Sequence, residues 1–235
     1  MDGIRRHKTR FTLIELLAVV ALVSVLMAVG VPAFARMIRG SKVDESARNI
    51  KLALEQAQMR AASERCYVAV IFPNGDVSAS LKPYRLGGFR TAYVAKKGNG
   101  SYEFTKWLDT EWRNAPDGAI LTRVRTSAFE PANGDITNCT AKATDALEGA
   151  SALKEIAGVK DDAGNSIDVG KNTALIFTPY GGTVGSSKIF LLVSEAVVEG
   201  DNIRYPTAGT GGNNRTSNYR VLKVNNLTGR VEFCE

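Results

Sequence analysis

Residues 11–35 form an apolar run, FTLIELLAVVALVSVLMAVGVPAFA, that carries a single charge, Glu15. An α-helix rises about 1.5 Å per residue, and a hydrocarbon core of about 30 Å takes roughly 20 apolar residues to span. The run is long enough. In front of it lies MDGIRRHKTR, where Arg5, Arg6, Lys8 and Arg10 stand against Asp2. Positive residues beside an apolar segment stay in the cytoplasm. The pattern therefore predicts a cytoplasmic N-terminus, a membrane helix over residues 11–35, and an exported remainder.

Three readings of the run compete. A cleaved secretory signal would use Ala33-Phe34-Ala35 as its small-residue site, but an h-region of about 7–15 residues is shorter than this run. A twin-arginine form of that export signal would use Arg5-Arg6, yet no Ser or Thr precedes the pair and His7-Lys8 follows it. A plain signal anchor accounts for the length and the flanking charge and leaves Glu15 unexplained. The third reading explains the acid. Ionised groups inside a membrane are costly and usually have a partner. If the chain were cut before Phe11, a new α-amine would appear with a reference pKa of about 7.7–8.0, mostly protonated at neutral pH. Glu15 would then pair with that amine, its own or a neighbour's.

Phe11-Thr12-Leu13-Ile14-Glu15-Leu16-Leu17, behind a basic leader and ahead of a long apolar helix, resembles the N-terminus of type IV pilins and type II secretion pseudopilins. The resemblance is close over residues 5–38. It implies that a prepilin peptidase cuts between Arg10 and Phe11, that Phe11 is N-methylated, and that Glu15 serves assembly. It also implies a helix-loosening role for Pro32, since an internal proline removes a hydrogen bond and kinks a helix. The family carries Gly before the cut; this chain carries Arg10.

After Pro32 the helical pattern continues. Val43, Ala47, Ile50, Leu54, Ala57 and Ala61 recur at spacings of three and four, one apolar stripe on a helix that runs to residue 63. Lys42, Asp44, Arg48, Lys51, Glu55 and Arg60 lie between them as a solvated face. The period then changes. Residues 66–72, CYVAVIF, read as a strand, Pro73-Asn74-Gly75-Asp76 as a turn, and residues 77–84 as the partner strand. Further strands are predicted over residues 91–96, 102–107, 119–126, 173–178, 188–198, 219–225 and 230–233, with a short helix over 144–157. The fold class expected is α+β: a long N-terminal helix, membrane-spanning in its first half, packed on an antiparallel sheet domain. Its parts are a leader (1–10), the membrane helix (11–35), the outer half of the helix (36–63) and a β-rich globular domain (64–235), which is large enough to bury a sizeable core.

The second stretch of resemblance is looser. Residues 47–72, the Ile176-Phe177-Thr178-Pro179-Tyr180-Gly181 stretch and the ending on Gly229-Arg230-Val231 are similar to H-type pseudopilins and FimT-type minor pilins. This implies a minor subunit of a secretion pseudopilus or a type IV pilus. Its partners would be other pilin-like subunits through the N-terminal helix, the inner membrane and the peptidase, with the globular domain in the periplasm.

Chemistry is sparse. The one histidine, His7, lies in the leader, so the exported part has no imidazole for acid–base work or metal ligation. Cys66, Cys139 and Cys234 lack C-x-x-C spacing, so no zinc site is expected. Cys139 and Cys234 either form a disulfide, which persists outside the cytoplasm, or stay free thiols; Cys66 reads as a small core residue. No enzyme activity, cofactor or metal is expected. The net charge of +6 invites a nucleic-acid reading, but the leader supplies half of it. Some FimT-type pilins are thought to grip DNA through G-R-x-R; here the stretch is Gly229-Arg230-Val231-Glu232, with an acid in the last place. Arg204, Arg215, Arg220, Lys223 and Arg230 are the candidates for a basic surface, and nucleic acid is the minor expectation.

Overall fold

The computed structural model describes residues 12–129, 147, 152–185, 187–205, 207–208, 214–215 and 218–234, with the side chains of residues 29–40, 207–208 and 214–215 left aside. A helix, α1, spans Leu13–Glu64. Strands follow in the order β1 (Tyr67–Ile71), β2 (Gly88–Lys96), β3 (Tyr102–Trp107), β4 (Arg113–Asn114), β5 (Ala119–Arg125), β6 (Ile156–Ala157), β7 (Ala174–Phe177), β8 (Ile189–Glu195), β9 (Val197–Glu199), β10 (Asn202–Arg204), β11 (Thr207–Ala208), β12 (Asn214–Arg215), β13 (Tyr219–Val224) and β14 (Val231–Cys234). The chain divides into two compact units, Met1–Ile38 and Arg39–Glu235.

In the second unit the described strands form two main sheets. One is six-stranded in the order β6-β3-β2-β1-β7, with β4 paired to the start of β2; the other is four-stranded in the order β14-β13-β8-β5. Two small hairpins, β9–β10 and β11–β12, complete the set. All pairings are antiparallel except β3 with β6. The class is α+β, as the patterning predicts.

The apolar stripe of α1 is the keel of this unit. Val43, Ala47, Ile50, Ala53, Leu54, Ala57 and Ala61 are each no more than 3 % exposed. They share one core with Val68, Val70 and Phe72, with Leu175 and Phe177 of β7, with Leu191 and Val193 of β8 and with Leu222 and Val224 of β13. Helix and both sheets thus close over the same apolar volume, and the alanines let the helix approach closely. The opposite face of the six-stranded sheet is buried as well. Ala69, Ile71, Ala92, Val94 and Ile176 meet Val77, Leu81, Val159 and Val169 there. A strand covered on both faces reads as a continuous apolar run, which is why VAVIF shows no polar alternation. Cys66 packs against the first core, in keeping with its reading as a core residue.

Three elements depart from the expected pattern. Residues 77–84 do not pair with β1; Ala79–Tyr84 is a 3-10 helix containing Pro83, and β1 pairs with β2 and β7 instead. Proline has no N–H to give a ladder, and Leu81 closes a local turn by donating to the Ser78 carbonyl. The helix expected over residues 144–157 ends, within the described residues, as β6, parallel to β3 through Tyr102 and Glu103; long-range pairing overrides local propensity. The strand expected over residues 188–198 splits at Ala196, whose N–H donates to Gly118, so that β9 leaves the sheet and pairs with β10.

Among the described residues no helix is long and apolar enough to cross a membrane. The described side chains at the start of α1 stop at Ala28, inside the run over which the span was expected. The helix runs through Pro32, whose side chain lies outside the described ones.

Candidate functional site

The first described residue, Thr12, caps α1. Its hydroxyl accepts from the Glu15 N–H at 3.3 Å, and the Glu15 carboxylate accepts from the Thr12 N–H at 2.8 Å and the Thr12 hydroxyl at 2.9 Å. This is a reciprocal capping box, T-x-x-E, which satisfies donors that a helix start leaves unpaired. Glu15 therefore has a partner within its own chain. The spacing was legible in the sequence, where the acid was matched only to an amine. Arg10 and Phe11, the residues of the expected cut, lie outside the described residues.

Past the cap, α1 is apolar on every side and open on every side. Leu13, Ile14, Leu16, Leu17, Val19 and Val20 are all more than half exposed, as are Leu22, Val25, Leu26 and Met27. The one polar side chain in that stretch is satisfied within the helix, for the Ser24 hydroxyl donates to the Val20 carbonyl at 2.8 Å. A helix that is hydrophobic all round is a buried one, in a protein core or in a membrane.

The globular unit treats its basic residues differently. Arg220 pairs with Asp44 of α1 at 2.6 Å, Arg230 with Glu232 at 3.1 Å, Lys223 with Glu232 at 3.6 Å and Arg204 with Glu199 at 3.2 Å. Of the five candidates for a basic surface, the four whose side chains are described each face an acid. The side chain of Arg215 lies outside the description. A phosphate would have to compete with these carboxylates for each guanidinium, and Glu232 serves two of the bases at once.

Two stretches singled out by resemblance meet in space. The turn after β7, at Tyr180-Gly181-Gly182, is tied to the turn between β13 and β14 where Thr183 donates to Asn226 at 2.8 Å. Gln58 of α1 reaches into the junction and donates to the Thr228 carbonyl at 3.1 Å. Gly229 sits there with φ of +69°, against Gln58 and the Gly181 carbonyl. A side chain at that position has neither the backbone conformation nor the room.

Two buried arginines were not visible in the sequence. Arg85 donates to Gly75, Gly200 and Asp201, joining the turn after β1 to the β9–β10 hairpin. Arg90 holds Asp162 through both nitrogens, binds the carbonyls of Asp109 and Thr110, and lies 4.3 Å from the Trp107 ring. Their partners are remote in sequence, so no spacing announces them, and both act as clamps on loops.

Reactive chemistry is thin. Cys66 and Cys234 are free thiols, and burial pushes both up from the ordinary cysteine range, which makes them poor nucleophiles. Cys139, which the sequence leaves either bonded to Cys234 or free, lies outside the described residues. Among the described residues, no three histidine, cysteine, aspartate or glutamate side chains come together to hold a metal. A cavity of about 470 Å³ is lined by Lys42, Asp117, Glu195, Arg204 and Tyr205 among others.

No protein-family model matches the chain, and no curated protein matches it. Among solved structures it is similar to the crystal structure of the type IV minor pilin FimU of Pseudomonas aeruginosa, with a TM-score of 0.39 and 11 % identity, over 83 % of this chain and 90 % of that one.

Proposed function

We propose that this chain is a pilin-like structural subunit that works by assembly and has no catalytic role. The observation that carries the reading is the surface of α1: apolar on every side over residues 13–27, then confined to one stripe under the sheets. The first part needs an apolar surrounding. In this reading residues 11–35 hold the subunit in the inner membrane, with the N-terminus cytoplasmic and the domain periplasmic, and later pack among other subunits' helices.

Within that class the reading is a minor pseudopilin, most like the H-type, of a type II secretion pseudopilus that supports protein export across the outer membrane. Prepilin peptidase would cut between Arg10 and Phe11, the new amine would be methylated, and Glu15 would face the amine of an adjacent subunit. The second reading is a FimT-type minor pilin of a type IV pilus, active in DNA uptake. The pairing of Arg204, Arg220, Lys223 and Arg230 with carboxylates weighs against it.

The test is the intact mass of the protein extracted from its host membranes. A mass beginning at Phe11 with one added methyl group is the expected result. A mass beginning at Met1 or Asp2 would mean that Arg10 blocks processing and the chain remains an anchored precursor. A soluble product beginning at Arg36 would overturn the assembly reading.

A further inference from the structure

We draw no further inference here: the strongest candidate, the outward ridge of α1 at Leu52, Gln56 and Met59, is an unpartnered helix face, and nothing in the structure shows what covers it.

Discussion

Between residues 13 and 27, α1 turns leucine, isoleucine, valine and methionine outward on every side; between residues 43 and 61 the same helix keeps its buried side chains to one stripe. The backbone is helical in both. The surroundings differ. The second stretch carries Lys51–Glu55 and Arg60–Glu64 ion pairs on its open side and alanines on its covered side. The first carries no charge beyond Glu15, which its own cap engages. Helical periodicity alone therefore does not say what a helix is for. The distribution of charge around the axis does, because water must solvate whatever the protein leaves uncovered.

The sharpest way to test this contrast is to remove one leucine from each stretch. Leu54 is fully buried, so Leu54→Ala should destabilise the folded unit by about 2–5 kcal/mol. Leu17→Ala should change it by less than about 0.5 kcal/mol, as an exposed substitution does. Denaturant titration of the detergent-solubilised full chain reads both. Equal losses would mean that the two stretches share one core, and the contrast would collapse.

A second pair of variants separates the helix cap of Glu15 from its proposed pairing with an amine. Glu15→Gln keeps a capping-box partner for Thr12 and removes the charge; Glu15→Leu removes both. Amide exchange at residues 13–16 should speed up in the leucine variant and stay near wild type in the glutamine variant. Both should insert in the membrane yet co-purify less with partner subunits. Normal co-purification of Glu15→Gln would leave the acid as a helix cap only and end the amine-pairing role.

Smaller effects are expected where the domain meets the helix through charge. Arg220→Ala breaks the half-exposed pair with Asp44, which should cost about 0.2–1 kcal/mol and less at high salt. Because the arginines are already paired, Arg220→Glu and Arg230→Glu should leave DNA retention at its background level. Salt-sensitive retention by the wild type that these reversals abolish would shift the reading to the DNA-uptake pilin.

The smallest effect concerns the end of α1. The Tyr93 hydroxyl donates to Glu64 at 2.7 Å, and that bond first, then Arg60, holds the Glu64 carboxyl below its ordinary range. A depressed folded pKa contributes stability above the unfolded value of about 4.3, and the contribution is lost as pH falls through the folded one. The stability deficit of Tyr93→Phe should therefore be present at neutral pH and shrink in acid. A deficit that does not change with pH would assign the loss to packing of the ring.

How much was legible follows from where the information lies. The stripe of α1 could be read because burial repeats with the helical period, and the strand at residues 67–71 because a run covered on both faces is apolar throughout. The capping box was equally local, four residues long, and needed only the T-x-x-E spacing. The 3-10 helix at Ala79–Tyr84 stands where the sequence predicts a strand, because the alternation of Val77, Ala79 and Leu81 with polar residues looks the same until a pairing partner is known. Arg85 and Arg90 were unreadable for a related reason. Asp201 and Asp162 lie far along the chain, and only the folded sheets bring them within reach.

By itself the sequence determined the uniformly apolar start of α1, the stripe that follows it and the capping box, because each depends on neighbours within two turns of one helix. Only the tertiary structure decided that β1 pairs with β2 and β7, that Gln58 and Gly229 join two turns, and that Arg220 and Arg230 are spent on carboxylates. Those outcomes rest on contacts between residues distant in the chain, and their energies exist only once the core under α1 has closed.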